Sequence, residues 1–167
     1  MNATLAPSRP TLLPPRALSR ARQHRDADYQ ANVAIIRCGP NRGVAGVQIL
    51  GALGTQSGEH FIPFEVQEMP AMLGRDFGYA GMLAVLERMR KLGIRRVLIH
   101  SDDIALVDEL DHRAEPHREL TLPYITLGCK LNEFVRARVL AAPDERLAAL
   151  REKTTALAGS IYQEVAC

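Results

Sequence analysis

The chain has 167 residues, 47% of them hydrophobic and 24% charged, with a formal net charge of +2. That length suits one domain with a full-sized core, and two would be a squeeze. Aromatics make up 5% and Trp is absent, so a base-stacking surface would have few rings to work with.

Met1 to Gln30 reads as a separate arm. Pro7, Pro10, Pro14 and Pro15 break any helix, and Arg9, Arg16, Arg20, Arg22 and Arg25 all precede the first acid, Asp26. Such a segment buries too little apolar surface to offset its ordering entropy. It is either a solvated leader or an electrostatic tether to phosphates or to an acidic protein surface, and the tether is favoured. Cationic charge is carried almost wholly by Arg, since Lys91, Lys130 and Lys153 are the only lysines. The planar guanidinium fits phosphate or carboxylate, although heavy Arg usage also follows from genome composition. The cysteines, Cys38, Cys129 and Cys167, form no CxxC pair and no zinc spacing, as expected of a reduced, cytoplasmic protein. No apolar run is long enough to span a bilayer, and the start lacks the hydrophobic stretch of a secretory signal. An Arg-rich, acid-free start also has the composition of an organelle transit peptide.

The expected domain covers residues 31–167. Val33 to Arg37 predicts a first strand, closed by the turn residues Gly39, Pro40, Asn41 and Gly43. Val44 to Leu53 predicts a second strand and His60 to Met69 a third, and the short polar turns between them imply an antiparallel meander. From Gly78 to Leu92, apolar residues at three- and four-residue steps predict a helix that Gly93 stops. Val97 to Ile99 is a short apolar run, as in a strand buried on both faces. Ser101, Asp102 and Asp103 can cap the next helix, with Ile104, Val107 and Leu110 on one face. A charged loop, Asp111 to Glu119, leads to an expected strand from Leu120 to Leu127. Lys130 to Ala142 then reads as a helix through Leu131, Phe134, Val135 and Val139, and Asp144 caps a last long helix. Strands followed by alternating helix and strand give an α/β mixed sheet, three antiparallel strands then parallel ones, with helices on its faces.

The segment from Leu92 through Asp103, Leu-Gly-Ile-Arg-Arg-Val-Leu-Ile-His-Ser-Asp-Asp, resembles the helix-to-central-strand passage of the ribonuclease H-like superfamily. Arg37-Cys38-Gly39 resembles the end of that family's first strand, where Asp-Gly is usual, and Lys130-Leu131-Asn132 resembles the approach to its last helix. The resemblance implies a two-metal site, in which carboxylates hold Mg²⁺ or Mn²⁺ for phosphoryl transfer. Only Asp102 matches an acid position. Cys38, Gly78 and Arg136 stand at the others, offering a soft sulfur, no side chain and a positive charge.

The resemblance therefore implies a catalytically degenerate member with no cofactor, one that binds DNA or RNA or serves as a subunit of a nucleic-acid-handling assembly. Arg16, Arg20, Arg22, Arg25, Arg37 and Arg42 are the candidate phosphate contacts. One alternative is a protein–protein or homodimerisation module without nucleic-acid contact. Another is a divergent nuclease using Mg²⁺ or Mn²⁺ at a displaced site built from Asp76, Asp102, Asp103 and Glu133. Against the displaced site, Asp102 and Asp103 also read as helix-capping acids, and Asp76 and Glu133 as surface charges. Three further groupings have plainer readings. Cys38 could meet His100 with Asp102 as orienter, though a strand Cys is more often an inert small hydrophobe. Gly39 to Gly43 lacks the Lys-Ser/Thr pair of a phosphate loop. His112 and His117 around Glu115 form a weak metal pair or, more simply, a polar loop.

Overall fold

The computed structural model describes residues 28–51, 56–67 and 73–163. Its strands are β1 (Tyr29–Arg37), β2 (Arg42–Leu50), β3 (Gln56–Glu65), β4 (Arg96–Ser101) and β5 (Arg136–Ala141). Its helices are α1 (Leu73–Lys91), α2 (Ile104–Leu110), α3 (Thr121–Asn132) and α4 (Asp144–Gln163), with a 3₁₀ turn at Arg118–Leu120. The strands form one sheet in the order β3-β2-β1-β4-β5. The β1–β2 and β2–β3 pairs are antiparallel, and β1–β4 and β4–β5 are parallel. This is the expected mixed sheet. No helix among the described residues is long and apolar enough to cross a membrane.

Strand alternation sorts the sheet into two faces. Ala31, Val33, Ala45, Val47, Ile49, Val97, Ile99 and Val139 belong to one buried cluster with Tyr79, Met82, Val85, Leu86 and Met89 of α1 and Leu127 of α3. Against the opposite face lies α4, whose buried Leu147, Leu150, Thr154 and Ala158 look toward β1 and β2. There the approach is close enough to require a glycine. A Cβ on Gly46 would overlap Thr154 Oγ1 and stand 3.1 Å from Thr154 Cβ.

Several boundaries shift. β1 begins at Tyr29, so Tyr29 and Gln30 belong to the sheet instead of the arm. Residues 68 and 69, expected at the end of the third strand, lie outside the described residues, as do residues 1–27 of the arm.

The larger correction is an exchange of types. Leu120 to Leu127, expected as a strand, holds the last residue of the 3₁₀ turn and the first part of α3. Lys130 to Ala142, expected as a helix, holds the end of α3 and then β5. The cause is packing. Leu120, Tyr124, Leu127 and Leu131 recur at helical steps and meet the core, while Pro123 falls in the first turn of α3, where a missing N–H costs nothing. In β5, Ala137 and Val139 alternate toward the core, a period of two that the small Ala137 conceals.

Gly46→Ala should destabilise the protein by about 1–3 kcal/mol through overpacking. Thr154→Ala in that background should restore part of the loss. Denaturant midpoints of the single and double variants measure both effects.

Candidate functional site

The carboxyl end of β4 is where the resemblance places chemistry, and the β1–β4 register fixes what surrounds it. Val33 pairs with Ser101 and Asn32 with His100, so β1 runs on past the end of β4. Cys38 therefore lies about 20 Å along β1 from the residue beside His100, at roughly 3.3 Å per residue. Its Sγ donates to the Ile36 carbonyl at 3.7 Å, and burial raises its thiol pKa. Cys38 and His100 do not meet, and Cys38 is not at the position opposite Asp102.

Asp103 caps α2. Its Oδ1 accepts from the Leu106 N–H at 3.0 Å, and its own N–H donates to Ser101 Oγ at 3.2 Å. Its Oδ2 fills the place of a side chain on Gly78 in α1, for a Cβ there would overlap that oxygen. Asp102 turns to the other face and pairs with Arg151 of α4. Arg75 of α1 reaches the buried Glu109 of α2 at 2.6 Å, and the Tyr79 hydroxyl donates to the same carboxylate. Burial and the Glu109 contact push the Tyr79 pKa up. On the α4 side, Asn32 donates through Nδ2 to Gln48 Oε1 at 2.9 Å. Arg146 Nε donates to Asn32 Oδ1 at 2.9 Å and its Nη2 to Gln30 Oε1 at 3.1 Å. His100 is buried with no partner on Nε2, and burial with the Arg146 charge lowers its pKa.

The remaining residues singled out from sequence disperse. Asp76 is buried in the first turn of α1, with no hydrogen-bond partner on either carboxylate oxygen. Burial, then the charge of Glu119, raises its pKa, so it is not the solvated surface charge expected. Glu133 pairs with Arg90 at 2.8 Å and Lys130 at 3.2 Å. It stands just before β5, at the opposite end of the sheet from Asp102, so Asp76, Asp102, Asp103 and Glu133 do not converge. Arg136 pairs across strands with Arg96 at that same far end. It is not a substitute for an acid of the last helix, which starts at Asp144.

Arg37 folds onto its own turn, donating to the Gly39 carbonyl at 2.8 Å with its guanidinium 5.1 Å from the Phe77 ring. Arg42 pairs with Glu65 at 3.4 Å and lies over Tyr162. His117 caps the 3₁₀ turn and His112 contacts the Tyr124 hydroxyl, so the two act locally instead of as a metal pair. Arg16, Arg20, Arg22 and Arg25 lie outside the described residues.

Solved structures similar to this chain include RNase H enzymes and an RNase H domain. An RNase H1 from the halophilic archaeon Halobacterium salinarum superposes with a TM-score of 0.59 at 15% identity, covering 77% of this chain and 97% of that one. The chain has the ribonuclease H-like fold. The N-terminal RNase H domain of a Mycobacterium tuberculosis protein gives 0.60 at 17% identity, covering 82% and 99%. An RNase H1 isolated from compost, solved in complex with an RNA/DNA hybrid, gives 0.55 at 15% identity, covering 76% and 92%. No protein-family model and no curated protein matches the sequence.

Mg²⁺ and Mn²⁺ are the ions the ribonuclease H-like resemblance implies, and the residues at the carboxyl end do not fit them. Asp102 is held by a guanidinium, Asp103 by a helix cap, Glu109 by Arg75 and Tyr79, and β1 offers the amide of Asn32, itself bonded to Arg146. Among the described residues no group of three or more His, Cys, Asp or Glu side chains could hold a metal ion. Sequence reading passed over Arg75, Tyr79, Glu109, Arg146 and Arg151. The four-residue spacing of Arg75 and Tyr79 was the one local signal that they share a helix face.

A raised pKa means that folded Asp76 takes up its proton before the unfolded chain does. Its contribution to stability is therefore present at acid pH and is lost as pH rises through the folded pKa. Asp76→Asn should raise the unfolding midpoint at neutral pH, and the gain should vanish below the ordinary aspartate range. Denaturant titrations of both proteins across pH provide the measurement.

Proposed function

We propose that this protein is a non-catalytic, cytoplasmic member of the ribonuclease H-like fold that binds nucleic acid, alone or as a subunit of a nucleic-acid-handling assembly. The observation that carries the reading is the engagement of Asp102 by Arg151. Two-metal phosphoryl transfer needs carboxylates free to clamp two cations. Here the acid at the end of β4 already holds a cation, and on α1 Gly78, which has no side chain, lies against Asp103.

Support for the ligand comes from the arginines of the arm and from the RNA/DNA hybrid bound by the compost enzyme of the same fold. The free thiols of Cys38 and Cys129 fit a reducing compartment. Docking to a protein partner, the second reading, is favoured by Leu122 and Ile125, which are 73% and 52% exposed on one side of α3.

The purified protein should not cleave an RNA–DNA hybrid in Mg²⁺ or Mn²⁺. Cleavage that Asp102→Asn abolishes would overturn the non-catalytic reading.

Binding to duplex should weaken steeply with salt. Each phosphate neutralised by Arg16, Arg20, Arg22 or Arg25 contributes about −0.9 to the slope of log K against log salt. Changing those arginines to Gln should remove their share alike for every duplex sequence, because phosphate contacts carry no base information. Fluorescence anisotropy across a salt series reads both effects. No affinity for any nucleic acid at low salt would transfer the reading to the protein partner.

A further inference from the structure

On its side of the sheet, α4 packs over β1 and β2 and reaches β3. β4 and β5 extend beyond that cover. Register and alternation place Arg96, Leu98 and His100 of β4 beside Arg136, Arg138 and Leu140 of β5, all on the α4 side. Arg96 and Arg136 are direct cross-strand partners, an arrangement in which like charges repel. Neither has an acidic partner among the described residues. The nearest acid to Arg138 is Asp111, at 3.8 Å, and Arg113 also holds Asp111.

Where α4 meets this face, Arg146 is bound by the neutral amides of Asn32 and Gln30, and no acid among the described residues pairs with it. The floor between these guanidiniums is half-buried Leu98 and Leu140 with buried His100, whose Nε2 has no partner. Asp144 and Glu145 in the first turn of α4 bound the patch on its acidic side.

We infer that this α4-side face of β4 and β5 is a rigid nucleic-acid contact, in which Arg96, Arg136 and Arg138 take phosphates of a duplex backbone beside Arg146. The inference rests on the nucleic-acid reading above and assigns it a surface apart from the arm, running from Arg96 and Arg136 at the start of β4 and β5 to Arg146 beside the end of β4. A polyelectrolyte partner is favoured over an acidic protein by the source of the energy. Exposed ion pairs between proteins gain little, and protein interfaces take their affinity from buried aromatic and apolar anchors. None of the residues placed on this face is Phe, Tyr or Trp. Phosphate neutralisation instead releases condensed counterions at every contact. The lack of rings also argues for a paired duplex, since single strands are held largely by base stacking.

The test uses the full chain and two fluorescent probes of one sequence, an RNA–DNA hybrid and a DNA duplex, titrated over a range of salt. The triple variant Arg96→Gln, Arg136→Gln, Arg138→Gln should flatten the salt slope by about 2–3 and lower low-salt affinity about tenfold or more. Its unfolding midpoint should hold or rise, because like-charge repulsion is removed. The matching Lys variant keeps the charges and should retain most of the slope.

If the Gln variant binds like the parent while neutralising the arm abolishes binding, the sheet-face inference fails and the nucleic-acid reading stands. Loss of slope in the Lys variant equal to that in the Gln variant also sinks it, as does retention on polyglutamate beads with no binding to either duplex. A parent protein that binds neither duplex at low salt overturns both readings together.

Discussion

β1 has an antiparallel neighbour on one side and a parallel one on the other, and the offset of the parallel pairing governs the rest of the molecule. Because Val33 stands beside Ser101, β4 ends against the middle of β1. The amino acids that close around that end come from α1, α2 and α4 instead of from the β1–β2 turn. The offset is held by burial on both faces. Ala31 and Val33 look into the α1 side, Asn32 and Ala34 toward α4, and all four are buried. A slip of one residue would exchange those sets and place Asn32 in the larger apolar core.

With that offset in place, the charges near the end of β4 are settled pair by pair. An ionised carboxylate removed from water needs hydrogen bonds and an opposite charge close by. Glu109 finds Arg75 and Tyr79, Asp102 finds Arg151, and Asp103 finds the open N–H groups of α2. Asp76 finds nothing and responds by holding its proton more tightly. Arginine thus does here by direct contact what a divalent cation does elsewhere, and the carboxylates serve to fasten helices to the sheet. At the opposite end Arg96 and Arg136 face each other, with no acidic partner among the described residues.

The legible parts of the fold were those with strong local chemistry. The β1–β2 turn, the long periodicity of α1, the apolar run of β4 and the cap at Asp103 could each be read from neighbours in sequence. The exchange between α3 and β5 could not. Leu120, Leu122 and Tyr124 alternate as in a strand, and only contact with the core selects the helical face. The site was less legible still. Asp102 and Asp103 were correctly drawn to the end of β4, but the partners that define them lie at residues 151 and 78, and that proximity is created by the fold. Motif likeness puts Cys38 and Arg136 near Asp102, but the β1–β4 offset carries Cys38 away, and Arg136 opens a strand at the far end of the sheet instead of lying in a helix.

Gly78 limits which sequences this backbone can reach next. A glutamate introduced there would meet the Asp103 carboxylate, adding like-charge repulsion to overlap. Relieving the conflict by removing Asp103 first would uncap α2, a helix of 7 residues, at a cost of about 1 kcal/mol. Freeing Asp102 would in turn require losing Arg151, which helps tie α4 to the sheet. Every single step toward a carboxylate cluster therefore passes through a less stable protein before any ion could repay it. The present arrangement is guarded by a mutational barrier, so drift is expected to enter at the surface and to leave this corner alone.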